Sequence, residues 1–298
     1  MNTRKSVAIL AALGVAGCAA PRAPAPTPFE IVAAPVLFAA GIVSTTYSEI
    51  RLTISPDGNT ALWFSRNRPG GPGGYDIWVS RRVHGAWNAA QPAEFNSSSR
   101  DFDPAFSADG KTVYFCSDRA GGFGGDDLYR VAVTSRGFGN PENVGPSVNS
   151  AGNEWAPMLS ADGSTLLFSS NGRGGAGRMD LFTARRFSRG FAPAVPLPGE
   201  INTAADEFDA TFLETTSRVV FSRATDIRVD DVNLYYSALS AGGHGGGTML
   251  GSQINVSGKS TYAPMLDWSR RGRLTFTGQR PEANSGAADV YVVPFRVR

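Results

Sequence analysis

Carboxylate side chains recur along this 298-residue chain at positions where they could do acid–base chemistry. Most stand in a short acidic and aromatic pattern that returns about every fifty residues, as in "RDFDPAF" (100–106) and "DEFDATF" (206–212). Two carboxyl groups that flank a glycosidic bond are the usual catalytic groups of glycan-hydrolysing enzymes. The candidate catalytic acids are Glu49, Asp103, Glu154, Glu207 and Asp209.

Aromatic residues stand close to these acids and could stack on sugar rings. They are Tyr47, Phe102, Trp155, Phe208 and Tyr262. A structural interpretation competes with both sets, because side chains that recur at equivalent positions can serve packing and backbone hydrogen bonding. We favour that interpretation for the set as a whole. Asp103 and Asp209 are the sharpest catalytic candidates, since Ala156 and Ala263 occupy the equivalent positions elsewhere.

A glycine-rich segment, "DRAGGFGGDDLY" (118–129), could instead hold a ligand through its backbone. A phosphate cradle needs its glycines at the start of a helix, whereas the residues that follow here have the pattern of a strand. The segment also fits a calcium-binding turn through Asp126. Tyr75 and Met179 replace that aspartate in two other copies of the segment. We therefore expect no nucleotide, metal or other cofactor.

The residues that could do chemistry belong to an internal repeat of about 52 residues. "LTISPDGNTALWFSRNR" (52–68) returns as "PAFSADGKTVYFCSDR" (104–119) and "PMLSADGSTLLFSSNGR" (157–173), and two weaker copies follow. Asp-Gly and Gly-aromatic turns separate β-rich runs in each copy, which predicts four short strands per repeat and an all-β protein. The repeats cover approximately residues 47–98, 99–150, 151–204, 205–257 and 258–298.

Four-stranded repeats of this length are typical of a β-propeller, in which each repeat is one blade and the blades close around a channel. The last repeat has residues for three strands only. Residues 35–46 resemble the end of a blade, so we expect them to supply the fourth strand and to close the ring without a free sheet edge. Residues 29–298 should form one five-bladed propeller.

In four repeats an arginine precedes the glycine loop and an aspartate follows it. Seven to nine positions separate the two residues, so they can meet across the neck of a hairpin, where a guanidinium can bind a carboxylate through two hydrogen bonds. A group that recurs in most blades indicates a scaffold rather than an active site. We predict structural clamps between Arg68 and Asp76, Arg119 and Asp127, Arg173 and Asp180, and Arg280 and Asp289.

The recurrent sequence "FSADGKTVYFCSDR" (106–119), followed by "DLY", resembles the WD40-like repeats of the TolB-type β-propellers of exported bacterial proteins. The resemblance covers most of the chain after residue 28. The chain departs from TolB-type proteins in having five repeats rather than six and no N-terminal α/β domain. The resemblance implies a propeller fold, a place in the cell envelope and an envelope partner.

The first residues have the pattern of an export signal. A basic start precedes an apolar run that is too short to span a bilayer. The sequence "VAGC" (15–18) resembles the lipobox of bacterial lipoproteins, whose cysteine receives a lipid anchor. We therefore expect a signal peptide over residues 1–17, lipidation at Cys18 and a Pro/Ala-rich tether over residues 18–28.

The net charge of the processed chain and the identity of residue 19 indicate which partners and which membrane to expect. Removal of the signal peptide would leave equal numbers of basic and acidic residues, so bulk charge predicts no nucleic-acid partner and membrane contact through the lipid alone. Ala19 stands where an aspartate often retains lipoproteins at the inner membrane. We expect an exported, periplasmic protein anchored at the outer membrane.

Two functions remain open at this stage. The first is a non-enzymatic binding or scaffold module, TolB-like, that presents the mouth of its channel to an envelope protein or a glycan. The second is a glycan-processing enzyme that uses the carboxylates at the channel mouth. Recurrence of the acids favours the first function.

The substitution Cys18→Ser should move the protein from the membrane fraction to the soluble fraction, because the thiol that accepts the lipid is lost. Metabolic labelling with an alkyne fatty acid, followed by fractionation, measures both effects. Cys116→Ser is the matched control and should keep both the label and the membrane association. A wild-type chain that carries no fatty acid would contradict lipidation.

Overall fold

The computed structural model describes residues 29–280 and 288–297. Strands, turns and loops make up these residues, and they contain no helix that could span a membrane. The strands form five separate antiparallel sheets arranged as the blades of a propeller. The predicted all-β, five-bladed fold is therefore confirmed. The signal peptide, Cys18 and the tether lie outside the described residues.

Each blade has three long strands and a short outer strand. The chain begins with β1 (Phe29–Ile31) and β2 (Val36–Leu37), and blade 1 follows with β3 (Ser48–Ile54), β4 (Thr60–Arg66), β5 (Tyr75–Val83), β6 (Ala86–Trp87) and β7 (Gln91–Pro92). Blade 2 contains β8 (Asp101–Phe106), β9 (Thr112–Ser117), β10 (Asp127–Thr134), β11 (Gly137–Phe138) and β12 (Glu142–Asn143). Blade 3 contains β13 (Glu154–Leu159), β14 (Thr165–Ser170), β15 (Asp180–Phe187), β16 (Gly190–Phe191) and β17 (Val195–Pro196). Blade 4 contains β18 (Asp206–Leu213), β19 (Thr215–Ala224), β20 (Asn233–Ser240), β21 (Gly243–His244) and β22 (Thr248–Met249), and blade 5 contains β23 (Thr261–Leu266), β24 (Arg273–Gly278) and β25 (Asp289–Val297).

The outer strand of each blade is broken into two pieces that pair with different parts of the third strand. In blade 1, β6 pairs with the end of β5 at Val83, and β7 pairs with its middle at Trp78. The same arrangement recurs in the next three blades. The predicted fourth strand is therefore present, but the chain leaves the sheet between its two halves.

The ring closes through the N-terminal residues. Both β1 and β2 pair with β25, with Phe29 opposite Val297 and Val36 opposite Val292. The closing strand thus begins earlier than the expected segment 35–46, because the last blade needs both pieces of an outer strand. An N-terminal contribution to the last blade is confirmed, and it leaves blade 5 with the same five-stranded sheet as the others.

Buried aromatic residues form much of the core of each blade. A phenylalanine occupies the same place on every second strand, and in blades 2 to 5 an aromatic residue faces it from the third strand at 5.6–6.1 Å between ring centroids. Such pairs contribute packing in addition to apolar burial. The conserved column of the repeat is Phe64, Phe115, Phe168, Phe221 and Phe276.

The glycine loops are contacts between neighbouring blades. A Cβ atom on Gly73 would lie 1.9 Å from the carbonyl oxygen of Ser99, and one on Gly177 would lie 1.9 Å from that of Ala205. Gly124 makes the same approach in blade 2. The approached residues lead into the innermost strand of the next blade, so the absence of a side chain lets successive blades pack backbone to backbone.

The substitution Gly177→Ala should lower the free energy of unfolding by about 1–3 kcal/mol, because the new methyl group would overlap the backbone of the next blade. Urea unfolding followed by tryptophan fluorescence measures this change. Gly251→Ala is the control, since a Cβ there meets no atom within 4 Å. Equal stability of the two variants would show that the loop does not need this close approach.

Candidate functional site

A cavity of about 420 Å³ lies at the mouth of the channel, where the innermost strands begin. Its volume falls within the range of small-ligand sites. Six of its sixteen lining residues are aromatic, namely Phe64, Tyr75, Phe102, Trp155, Phe208 and Tyr262. The remaining lining residues are Ile50, Arg66, Arg100, Asp103, Asp209, Ile227, Val232, Ser260, Gln279 and Ala288.

Four of the five aromatic residues expected at the mouth line this cavity, and Tyr47 does not. Tyr47 precedes β3, is 37% exposed and lies outside the cavity wall. Ile50 takes the place that Phe102 has in blade 2, because each residue directly follows the first acid of its innermost strand. The sequence interpretation placed the aromatic residue of blade 1 at the wrong position of the repeat.

The three candidate glutamates anchor the loops that enter the innermost strands. Glu49 is fully buried and accepts hydrogen bonds from the backbone N–H and the hydroxyl of Thr45, at 3.0 and 2.5 Å. Burial raises the pKa of Glu49 to about 7, while the Thr45 hydrogen bonds oppose the rise. Equivalent bonds join Ser150 to Glu154 and Thr203 to Glu207. None of the three glutamates borders the cavity.

The arginines before the glycine loops bind partners other than the expected aspartates. Three arginines, Arg68, Arg119 and Arg223, each lie over two aromatic rings of their own blade. Arg119, for example, lies 5.1 Å from the ring centroid of Phe115, and this stacking directs the guanidinium toward the innermost strand. Arg173 donates instead to backbone carbonyls, including that of Val148 at 2.5 Å. The expected pairing with Asp76, Asp127 and Asp180 is therefore wrong. The observed ion pairs are Arg68–Glu49 at 3.9 Å, Arg119–Asp101 at 2.5 Å and Arg223–Glu207 at 2.6 Å.

The aspartates after the loops close the loops themselves. Asp76 accepts hydrogen bonds from the backbone N–H groups of Gly73 and Gly74, at 2.9 and 3.1 Å. Asp127 accepts from the N–H of Phe123, and Asp180 accepts from that of Gly177. In blade 5 the corresponding loop lies outside the described residues. Arg280 there donates to the carbonyl of Ile254, and burial raises the pKa of Asp289 to about 6.

A β-bulge interrupts every innermost strand, and its central residue has a left-handed backbone with φ between 45° and 56°. Two blades place alanine there, and three place a charged residue. Arg51, which the sequence interpretation missed, is buried and donates to the carbonyls of Ala156 and Pro157 at 3.0 and 3.2 Å. Its Nε and Nη1 atoms have no hydrogen-bond partner in the described structure. The five bulge residues are Arg51, Asp103, Ala156, Asp209 and Ala263.

Asp103 and Asp209 form the floor of the cavity and are 4% and 7% exposed. Burial and the nearby charge of Asp209 raise the pKa of Asp103 to about 8, while Arg51 opposes the rise. Burial also raises the pKa of Asp209. The backbone amide of Ala156 lowers the pKa of Asp103, and that of Ala263 lowers the pKa of Asp209, while the Ala263 amide donates its hydrogen bond to the hydroxyl of Ser222 at 3.3 Å. At neutral pH the floor therefore retains a proton on Asp103.

Asp126, the residue that fits the calcium motif, orients two residues of the mouth. It accepts hydrogen bonds from Nε1 of Trp155 at 2.8 Å and from the Arg100 guanidinium at 2.7 Å. Arg100 also binds Asp118 at 3.0 Å. No group of three or more potential metal ligands occurs among residues 29–280 and 288–297. The contacts of Asp126 explain its presence in one blade only.

Arg66 is the second arginine of the cavity wall, and the sequence interpretation missed it. Its guanidinium carbon lies 5.2 Å from the ring centroid of Tyr75. No acidic group lies within 4 Å of its guanidinium among the described residues. A positive charge without a close ion pair therefore stands at the rim of the cavity, where it lowers the pKa of Asp209.

Solved structures of similar fold include proteins of two functional classes. The putative TolB from Agrobacterium tumefaciens is 12% identical, with a TM-score of 0.51 over 85% of this chain and 91% of that chain. The endo-arabinase from Bacteroides thetaiotaomicron VPI-5482 is 12% identical, with a TM-score of 0.54 over 86% and 97%. TolB from Acinetobacter baumannii is also 12% identical, with a TM-score of 0.49, and the match covers 83% of this chain and about half of that one, 54%.

The two likenesses with a TM-score above 0.5 show that the chain shares its fold with a putative TolB and with an endo-arabinase. At 12% identity they show the fold alone. No protein-family model and no curated protein sequence matches the chain.

The substitution Asp103→Asn should make the protein less sensitive to alkaline pH. The folded-state pKa of about 8 lies above the ordinary value of 3.8, so the folded state holds the proton more tightly and wild-type stability falls as pH rises from about 4 to about 8. Asparagine cannot ionise, so the advantage of the variant should grow across that window. Urea unfolding at several pH values measures the difference.

Asp109→Asn is a control for which the effect on stability should change with pH in the opposite direction. The Ser107 hydroxyl and the Lys111 amide hold the pKa of Asp109 below its ordinary value, so its ionised form stabilises the folded state. This variant should be less stable than the wild type at neutral pH, and the difference should shrink as pH falls. A pH-independent difference between Asp103→Asn and the wild type would contradict a retained proton on Asp103.

Proposed function

We propose that this protein is a non-enzymatic binding module that receives its partner at the aromatic mouth of the channel. One observation carries the proposal, which is that the three candidate glutamates are buried and accept hydrogen bonds from the propeller backbone instead of reaching the cavity. The backbone donors are Thr45 for Glu49, Ser150 for Glu154 and Thr203 for Glu207.

A catalytic acid must reach the bond that it protonates. The three glutamates are buried beside their loops and do not border the cavity. Asp103 and Asp209 do border it, but they are only 4% and 7% exposed. Their burial supports a role as parts of the scaffold.

The wall of the cavity is suited to binding because its rings are held in place. The ring of Phe102 packs edge to face against Phe64 at 5.7 Å and against Tyr75 at 6.0 Å between centroids. Asp126 fixes the indole of Trp155. Rings that are ordered before a partner arrives lose little conformational entropy on binding. A glycan ring or an apolar side chain of an envelope protein could stack on this surface.

We further propose that the module works in the periplasm, where a lipid on Cys18 anchors it to the outer membrane. The lipobox-like sequence "VAGC" and Ala19 support this location. A tether of Pro and Ala residues would let the propeller stand away from the lipid surface.

A glycan-processing enzyme is the second candidate function. Asp103 keeps its proton near neutral pH beside a second carboxyl group, Asp209, and such a pair can provide the acid and the base of hydrolysis. The similar fold of an endo-arabinase is consistent with this alternative. Both aspartates would then need to contact the sugar.

The substitution Trp155→Ala should weaken partner binding about tenfold or more, since a central aromatic contact is lost. Purified protein would be applied to a glycan array and to solubilised envelopes, and each captured partner titrated against both variants. Trp87→Ala removes an indole from the outer strand β6 and should leave binding unchanged. A partner that binds Trp155→Ala as well as it binds the wild type does not use the mouth.

The same array would be assayed for released reducing ends. The binding proposal expects none above background. Release by the wild type that is lost in Asp209→Asn, with glycan binding retained, would overturn the proposal in favour of the enzyme.

A further inference from the structure

We propose that the group received at the channel mouth is an acidic sugar, a uronic acid residue of a glycan. The inference rests on the proposed function and names the partner of that same cavity. It follows from the difference between the two sides of the cavity and from the balanced charge of its floor.

One side of the cavity presents three aromatic rings, of which Trp155 and Tyr262 are half-buried and Phe208 is buried. Trp155, Phe208 and Tyr262 line the wall contributed by blades 3 to 5. In the described structure no guanidinium lies over any of these rings, whereas Arg66 and Arg100 cover Tyr75 on the other side. The apolar face of a pyranose can therefore stack on blades 3 to 5 without displacing a protein group.

The opposite side presents one positive charge that makes no ion pair within 4 Å in the described residues, although it lowers the pKa of Asp209 from a greater distance. Arg66 lies over Tyr75, while Arg100 is neutralised by Asp118 and Asp126 at 3.0 and 2.7 Å. A guanidinium binds a carboxylate through two parallel hydrogen bonds. Arg66 thus favours a ligand that carries a carboxylate on the side away from the stacked face.

The floor is suited to hydroxyl groups rather than to a second charge. Asp103 keeps a proton that it can donate, a carboxyl oxygen of Asp209 can accept, and the charge of Arg51 lowers the pKa of both groups. A sugar hydroxyl can both donate and accept a hydrogen bond, so it matches this pair. A cationic ligand matches it less well, because the positive charge of Arg66 stands at the entrance and would repel it.

The test is calorimetric titration of the wild-type protein with uronic acid oligosaccharides of several linkages. Each is compared with the same oligosaccharide after its carboxyl groups have been reduced to hydroxymethyl groups, which removes the charge and keeps the ring. We expect at least one uronic acid probe to bind about tenfold more tightly than its reduced form, the effect of one charge-assisted pair.

The substitution Arg66→Ala should remove this preference by weakening only the acidic probe, and Arg66→Lys should restore part of it. Arg271→Ala is the matched control, because that side chain is 91% exposed in the turn between β23 and β24, at the end of the blade away from the mouth. Thermal unfolding of each variant would verify that the fold is intact.

The outcomes separate the inference from the proposed function. Equal binding of acidic and reduced probes, lost in Trp155→Ala, would overturn the acidic-sugar inference and leave the binding module standing. An equal effect of Arg271→Ala and Arg66→Ala would also overturn the inference, because it would indicate general charge attraction. Binding of no sugar, with a protein partner captured through Trp155, would show that the mouth serves a protein instead.

Discussion

The left-handed bulge in each innermost strand is the constraint on which the channel mouth depends. A non-glycine residue in this conformation costs about 1 kcal/mol or more, yet none of the five positions is glycine. The bulge turns a backbone amide toward the neighbouring blade, where the amide of Arg51 donates to the hydroxyl of Thr277 at 3.1 Å and that of Ala263 donates to the hydroxyl of Ser222 at 3.3 Å. These bulges therefore join two blades through a backbone amide, and each bulge places its own side chain, charged in three blades, beside the channel.

A second set of contacts keeps the bulges in place. One acid of each innermost strand in blades 1 to 4 accepts hydrogen bonds from the loop that enters the strand, and in three blades an arginine neutralises it. These acids are Glu49, Asp101, Glu154 and Glu207. Glycines such as Gly177 allow the preceding blade to press against the same entering loop. The acid, the arginine and the glycine loop therefore all stabilise the same contact between neighbouring blades. This explains why they recur together in the sequence.

The repeat allowed the blades to be predicted from the sequence. The hydrogen-bond and ion-pair partners of its residues could not be predicted in the same way. Asp103 and Asp209 could be identified because they break a column that is otherwise alanine. Arg51 belongs to the same column, but a search for acids passes over a base, and the positive φ that turns it inward is not visible in residue types. Arg119 binds Asp101 rather than Asp127 because stacking on Phe115 directs it away from the loop, which spacing alone cannot show.

An asymmetric site on a repeating scaffold requires blades that differ where the ligand would enter. Blade 4 has the largest difference, since "TDIRVDDV" (225–232) replaces the glycine loop. Asp206 accepts from the backbone N–H of Ile227 at 2.9 Å and from Arg178 at 2.5 Å, and this places Ile227 and Val232 in the cavity wall. Because a ring of identical blades would present the same group five times, it is this loop, together with Arg66 and the bulge residues, that could give a bound sugar a single orientation.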